Sequence, residues 1–352
     1  MKKIRVLVVD DTSVMRKIVS EVVDRDPEME TAGVAANGRI ALQRVNQVSP
    51  DVITLDMEMP EMDGIEMVRE LRKTHPKIPV IMLSALTVKG AEATFDALQA
   101  GASDYVAKPA RSIGVPATLA QLQRELLPKI RHFFPRKKEA VAVAPVRRAP
   151  AVPRKRQPIE VVALATSTGG PNALAKVFEQ LKEPLAVPVV IVQHMPPIFT
   201  RTLAERLDAC SVMSVHEGED GQVLQAGHAY VAPGGYHMTV KKEGVRHVIR
   251  LNQDPPENSC RPAADALFRS VAECYGASAL AVVMTGMGRD GFLGTREICD
   301  QGGLALAQDQ ASSVVWGMPS FLAKEGLAES VLPLDRIADE ISKRVNGALK
   351  LW

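Results

Sequence analysis

The chain has 352 residues, 46% of them hydrophobic and 24% charged, with a formal net charge of +2. That length favours two domains over one, and the composition is that of a soluble globular protein able to bury two cores. No apolar run is long enough to span a bilayer, Met1-Lys2-Lys3 running straight into a short apolar stretch argues against a signal peptide, and the charge balance gives no case for a nucleic-acid-binding surface. The four cysteines, Cys210, Cys260, Cys274 and Cys299, form no Cys-x-x-Cys pair. Reduced thiols in a cytoplasmic protein are therefore expected, without zinc, disulfides or membrane insertion.

Residues 1 to about 130 alternate apolar runs with amphipathic segments. The runs are Arg5–Val9, Glu30–Ala35, Val52–Leu55, Val80–Leu83 and Tyr105–Ala107, and helical patterns lie near Val14–Asp24, Gly38–Val48, Gly64–Thr74, Lys89–Ala100 and Thr118–Leu127. Five such βα units predict an α/β domain, a doubly wound parallel sheet whose active edge is at the carboxyl ends of its strands. Polar residues stand at those ends: Asp10 and Asp11 after the first run, Asp56 after the third, Ser84 after the fourth and Lys108 after the fifth. Singly, each reads as a capping acid or a solvated lysine. Together they place three mutually repelling carboxylates at one edge, where a hard cation with oxygen ligands, Mg²⁺, would neutralise them. Asp56 then becomes a candidate nucleophile toward a phosphoryl group, with Lys108 and Ser84 set to stabilise its oxygens.

The motifs VLVVDD, ITLDMEMPEMDG, VIMLSAL and DYVAKP closely resemble those of two-component receiver domains, which share a flavodoxin-like fold. The resemblance implies phosphorylation of Asp56 by a phosphohistidine donor and Mg²⁺ held by Asp10, Asp11, Asp56 and the main-chain carbonyl of Glu58. It also implies that Ser84 and Tyr105 report the phosphoryl group to a neighbouring surface.

Residues 131–158 are read as the joint: from Phe134 to Pro158 there is no amphipathic period, and prolines at 135, 145, 150, 153 and 158 disfavour helix and sheet. Eight Lys/Arg against one acidic residue between Arg136 and Arg156 leave the rest of the chain mildly acidic. This segment reads as a flexible, solvated linker able to span roughly 65 Å at ~3.1 Å per residue.

The second domain, residues 159–352, opens on Val161-Val162-Ala163-Leu164-Ala165-Thr166-Ser167-Thr168-Gly169-Gly170-Pro171, a buried strand, a sharp turn and a helix start. Ser167 could be a helix N-cap, part of an anion cradle, or a nucleophile raised above the sheet edge. A second apolar run, Val187–Gln193, ends at His194, and a third, Leu280–Met284, leads into Thr285-Gly286-Met287-Gly288-Arg289-Asp290-Gly291. Alone, the His reads as structural and the glycine loop as a turn, an anion nest or a metal site. Each loop, however, follows a buried strand and opens at one sheet edge, supplying Ser167, His194 and Asp290. A serine attacking an acyl carbon needs a base, and the base needs an acceptor on its other nitrogen. His228–Ala232 and Tyr236–Lys241, around Pro233-Gly234-Gly235, read as a hairpin with Val245–Leu251 as a third strand. Arg261 starts a predicted helix with Pro262 in its first turn. The remaining six histidines show no metal-ligand spacing.

ATSTGGP, IVQHMPP, CRPAADALF and VVMTGMGRDG resemble the catalytic domain of the chemotaxis protein-glutamate methylesterases, an α/β methylesterase domain carrying an antiparallel hairpin. The resemblance implies Ser167 as nucleophile, His194 as general base, Asp290 as its orienting carboxylate and the main-chain N–H of Met287 as an oxyanion donor, with Arg261 as a candidate substrate contact. It implies hydrolysis of glutamyl methyl esters on methyl-accepting chemoreceptors, deamidation of particular glutamines, a chemotaxis histidine kinase as phosphodonor, and an unphosphorylated receiver that covers the cleft. The sequence departs from the family pattern at Ala165-Thr166, Arg289 and Ala263. Two rival readings are a receiver-controlled esterase or amidase of another chemosensory pathway, and a non-enzymatic phosphorylation-dependent receptor-binding module.

Overall fold

The computed structural model describes residues 2–109, 114–134 and 157–346. The chain divides into two compact units, Met1–Lys138 and Glu139–Trp352. Most of the predicted linker, residues 135–156, lies outside the described residues. Among the described residues no helix is long and apolar enough to cross a membrane.

In the first unit five strands, β1 (Ile4–Val9), β2 (Met29–Ala35), β3 (Val52–Asp56), β4 (Val80–Ser84) and β5 (Asp104–Ala107), form one parallel sheet in the order β2-β1-β3-β4-β5. The crossovers are α1 (Ser13–Asp24), α2 (Gly38–Val48), α3 (Gly64–Thr74) and α4 (Val88–Gln99), and α5 (Gly114–Phe133) closes the unit. Every residue of β3 and β4 is buried, as a sheet covered on both faces requires. On one face Ile18, Val19, Val22 and Val23 of α1 and Leu122, Leu126 and Ile130 of α5 join Val6, Val8, Ile81 and Val106 in one core. Asp63 starts α3 with a capping box, its carboxylate accepting from the Glu66 N–H and the Glu66 carboxylate from the Asp63 N–H. α5 runs past the predicted end at Leu127 and contains Pro128. Its apolar stripe continues through Ile130, so the packing that holds its first turns also holds its last.

The second unit is built on a seven-stranded parallel sheet in the order β14-β13-β12-β6-β7-β9-β8. These strands are β6 (Val161–Thr166), β7 (Val189–Gln193), β8 (Ser214–Glu217), β9 (His228–Val231), β12 (Ala279–Val283), β13 (Leu304–Gln308) and β14 (Ser330–Leu332). A separate antiparallel hairpin pairs β10 (His237–Glu243) with β11 (Arg246–Asn252), from His237↔Asn252 to Glu243↔Arg246. The helices are α6 (Gly170–Gln180), α7 (Phe199–Cys210), α8 (Ala264–Tyr275), α9 (Phe292–Asp300), α10 (Met318–Lys324) and α11 (Leu334–Asn346).

The hairpin is therefore not the predicted one. β9 lies inside the main sheet, parallel to β7 and β8, with Ala229, Tyr230 and Val231 all buried. Pro233-Gly234-Gly235 does not reverse the chain onto β9. Gly234 is where the backbone presses on the Pro196-Pro197 segment: a Cβ there would lie 2.2 Å from the Pro197 nitrogen. The Gly234 N–H donates to the Thr200 hydroxyl at 3.0 Å, and the chain leaves the sheet to start β10. α8 also starts later than predicted, at Ala264 rather than Arg261.

Phe268 of α8 is fully buried in the core shared by α8, β6, β12 and the hairpin. Phe268→Ala is expected to destabilise the second unit by about 3–5 kcal/mol, since it removes ring contacts and leaves a cavity. The denaturation midpoint followed by a probe in this unit would check it; a loss under about 1 kcal/mol would mean that the core collapses around the gap.

Candidate functional site

Two clusters of polar side chains stand at strand ends, one in each unit. In the first, strand order reverses at β1, which lies between β2 and β3. Asp10 follows β1 and Asp56 ends β3, so neighbouring strands carry both carboxylates to one edge. Carboxylate oxygens of Asp10, Asp11 and Asp56 all lie within 4.8 Å of one another. Lys108, just past β5, places Nζ 2.6 Å from Asp56 Oδ1 and 3.1 Å from Asp10 Oδ2. Burial pushes the Asp56 carboxyl up to about 6, against the pull of Lys108, and the Asp10 charge adds to the rise.

Glu58 follows in an exposed loop, and among the described residues its carbonyl accepts no hydrogen bond. Three carboxylates, two of them paired with one lysine, form an oxygen-only donor set with excess negative charge, which fits a hard divalent cation. The Ser84 hydroxyl bonds to α4. It lies 2.6 Å from the Thr94 hydroxyl and 3.1 Å from the Gly90 carbonyl. Tyr105 is buried, with the Lys129 ammonium 5.5 Å from its ring centre; burial holds its phenol well above the usual range.

In the second unit β6 lies between β7 and β12, and from it the sheet is extended in both directions. That is a topological switch point, where a crevice opens at the carboxyl edge. Ser167 follows β6, His194 follows β7, and Met287 and Asp290 sit on the loop after β12.

The backbone there is fixed by close approaches. Gly169 has φ +76°, and a Cβ on Gly170 would lie 1.9 Å from Gln193 Oε1, so the turn after Ser167 needs both glycines. Gln193 ties two of the loops together: it accepts from the Thr166 hydroxyl at 2.6 Å and donates to the Ser167 carbonyl at 3.0 Å and the His194 carbonyl at 3.2 Å. Gly286 brings the third loop alongside, its missing Cβ falling 2.9 Å from Ser167 Cβ. The Ser167 N–H donates to the Thr285 carbonyl at 3.0 Å.

His194 Nε2 stands 2.7 Å from Asp290 Oδ2. Asp290, 2% exposed, also receives the N–H groups of Ala264 (2.6 Å) and Asp265 (3.1 Å), at the start of α8, and Asn258 Nδ2 (3.0 Å). Burial pushes the Asp290 carboxyl up, but the His194 hydrogen bond and these donors outweigh it and hold it below the usual range. An ionised Asp290 takes the proton of Nε2 as a hydrogen bond, which leaves Nδ1 as the basic nitrogen. Burial lowers the His194 pKa, while Asp290 and Cys260 raise it further, to about 10. The Ser167 hydroxyl is half-buried and forms no hydrogen bond among the described residues. The Met287 N–H has no acceptor among them either.

Residues 162–341 match the family model described as CheB methylesterase, and residues 6–118 match the response regulator receiver domain model. The chain belongs to the CheB methylesterase family. A curated relative from Nocardioides sp., named protein-glutamate methylesterase/protein-glutamine glutaminase, is 50% identical over 98% of this chain and 96% of its own length. One from Trichodesmium erythraeum with the same name is 45% identical, over 98% of this chain and all of its own. The crystal structure of the Thermotoga maritima CheB methylesterase catalytic domain is 37% identical, with a TM-score of 0.52, covering 53% of this chain and 99% of that one. The α/β class and the two-part organisation read from the sequence are those of this family.

The structure gathers Ser167, His194, Asp290 and Met287 at the crevice of the second unit, and Asp10, Asp11, Asp56 and Lys108 at the sheet edge of the first, with Glu58 in the loop two residues after Asp56. Arg261 Nη1 donates to the carbonyls of Gln253 (2.8 Å) and Asp254 (3.0 Å), bracing the loop before α8. Thr166, one of the departures from the family pattern, spends its hydroxyl on Gln193. Four residues of the crevice carry no role in the sequence reading: Gln193, Asn258, Cys260 and Asp265. Asn258 Nδ2 bridges Asp290 Oδ1 (3.0 Å) and Asp265 Oδ2 (3.1 Å), and Cys260 Sγ lies 3.6 Å from His194 Nδ1. Gln193 adjoins His194 in the chain and could have been found by that adjacency. The other three act across the fold, and no spacing announces them.

Proposed function

We propose that this chain is a phosphorylation-activated protein-glutamate methylesterase of chemotaxis, cytoplasmic, with a receiver that runs through the end of α5 at Phe133, a linker from there to residue 158 and a catalytic domain (159–352). It hydrolyses glutamyl methyl esters of methyl-accepting chemoreceptors to glutamate and methanol, and deamidates receptor glutamines by the same route. What carries the reading is the His194–Asp290 pair at 2.7 Å beside Ser167, with an unengaged Met287 N–H, at the switch point of the sheet.

In the catalytic domain, the Ser167 hydroxyl gives its proton to His194 Nδ1 as its oxygen attacks the ester carbonyl. The imidazolium is stabilised by Asp290 through Nε2, and the Met287 N–H donates to the oxyanion, a contact of a kind typically worth about 10²–10³ in rate. The C–OCH₃ bond breaks, Nδ1 returns the proton to the leaving oxygen, and methanol departs. Water, deprotonated by Nδ1, then cleaves the acyl-serine to free glutamate. With a glutamine, the leaving group is ammonia.

In the receiver, an Asp56 oxygen attacks the phosphorus of a kinase phosphohistidine, the P–N bond breaks, and an acyl phosphate forms. Asp10, Asp11, Asp56 and the Glu58 carbonyl would hold Mg²⁺, which when bound neutralises phosphoryl oxygens. Lys108 pairs with those oxygens, and Ser84 turns from Gly90 and Thr94 toward them, with Tyr105 following. The phosphoryl group then favours the arrangement in which the cleft is open.

Methanol release from methylated receptor membranes, with and without acetyl phosphate and Mg²⁺, tests both halves. Wild type is expected to respond to the phosphodonor and Asp56→Asn to keep only basal release. Equal stimulation of the two would remove Asp56 from the switch, and no release from wild type under any condition would remove the esterase.

A further inference from the structure

Nε2 of His194 is committed to Asp290, so all proton transfer from Ser167 must pass through Nδ1, and that atom faces a thiol. Cys260 Sγ lies 3.6 Å from it. The thiol is delivered by a turn of tightly fixed shape. Glu257 and Cys260 exchange main-chain hydrogen bonds (2.8 and 3.1 Å) around Asn258 and Ser259, whose φ angles are 50° and 63°. Two consecutive non-glycine residues in the left-handed region are costly, of order 1 kcal/mol each, and persist only where the surroundings fix them.

Those surroundings are on hand. Arg261 holds the carbonyls of 253 and 254, Arg269 pairs with Glu257, His237 reaches the Pro255 carbonyl at 3.2 Å, and Asn258 is bonded to Asp265 and Asp290. One rigid turn thus touches both partners of the proton relay: Asn258 fixes the carboxylate, Cys260 meets the base.

We infer that Cys260 is a positioning residue for the general base, the resting partner of His194 Nδ1 that Ser167 must displace. This rests on the esterase reading above. The groups facing the ring are Asp290 from the loop after β12, Cys260 from the turn, the neutral Ser167 from the loop after β6 and, behind Asn258, Asp265 of α8. Asp290 and Cys260 act in the same direction, both favouring the protonated ring. Ring orientation survives without the thiol because Nε2–Asp290 remains. Removing the thiol therefore frees Nδ1 and lowers the pH needed to empty it of its proton.

The test is the pH profile of kcat/KM for methanol release by the full chain, wild type against Cys260→Ala and Cys260→Ser, beside ¹⁵N NMR titration of the His194 imidazole. The acid limb for Cys260→Ala is expected about one pH unit lower, so that below it kcat/KM is about tenfold higher than wild type at the same pH. Above the limb the rates converge. Cys260→Ser, which keeps an acceptor for the Nδ1 proton on a shorter bond, falls between. An unchanged limb together with an unchanged His194 titration overturns the inference. A His194 titration that moves in a chain releasing no methanol keeps the Cys260–His194 coupling and removes the esterase reading instead.

Discussion

Ser167→Ala is expected to lower methanol release by at least ~10⁴-fold while leaving the second unit as stable as wild type to within about 0.5 kcal/mol. The two effects separate because of where the side chain stands. Its hydroxyl bonds to nothing among the described residues, so its loss orphans no donor or acceptor. The turn itself is held by main-chain and neighbouring groups: the Ser167 N–H on Thr285, Gln193 on the Ser167 carbonyl, and Gly170 against Gln193. What disappears is the hydroxyl oxygen proposed to form the acyl intermediate. The residual rate would come from oxyanion donation and substrate binding, which alanine leaves intact. Initial rates and thermal unfolding of the same preparations decide it. Retention of more than about a hundredth of the activity would mean that Ser167 is not the nucleophile, and Cys260, the other nucleophilic side chain at His194, would be the first to examine.

How much of this could be read from the sequence follows from how each feature is encoded. Parallel strands buried on both faces appear as continuous apolar runs, and eight of the twelve strands of the two sheets were legible in that way or nearly so, while β9 was legible as a strand but assigned to a hairpin. The exceptions have physical causes. β8 alternates buried and exposed residues over four positions, β13 is alanine-rich, and β14 is three residues long at the sheet edge, each too short or too weakly β-prone to stand out. The hairpin was misplaced because Pro-Gly-Gly signals a turn without saying what it turns toward. Here its glycine serves a backbone contact with Pro196-Pro197. α8 begins at Ala264 because its first free N–H groups find the Asp290 carboxylate, an acceptor 26 residues away that supplies the N-terminal acceptor from outside the segment. The candidate residues at strand ends were legible because α/β sheets collect function at one edge. Asn258, Cys260 and Asp265 were not, since they reach the site from a turn whose shape depends on the finished fold.

Asp290→Asn is expected to cost about 10⁴ in kcat and, unlike the serine change, about 2–4 kcal/mol in stability. Four donors converge on the carboxylate: His194 Nε2 and the Ala264 N–H on Oδ2, the Asp265 N–H and Asn258 Nδ2 on Oδ1. An asparagine offers one oxygen and one NH₂ group. Whichever way it turns, the NH₂ faces two donors in a place with almost no water, and a ring turned to satisfy it presents the wrong tautomer to Ser167. Part of the stability loss is recovered at Asp265, whose carboxyl is pushed up to about 6 by burial and, after the Gly294 N–H pulls it down, by the neighbouring Asp290 charge. With that charge gone it ionises more readily. The sign for His194 is the informative one. Asp290 is among the groups that raise its pKa, so in Asp290→Asn the ring is neutral, and nominally a ready base, at lower pH than in wild type. If availability of the base limited the reaction, the variant would gain activity on the acid side. It is expected to lose activity at every pH, because stabilisation of the imidazolium in the transition state is lost along with orientation. A pH profile of kcat whose limb moves down while its plateau falls ~10⁴-fold would establish that Asp290 works through the charged ring. A plateau within about tenfold of wild type would reduce the Asp290 contact to packing.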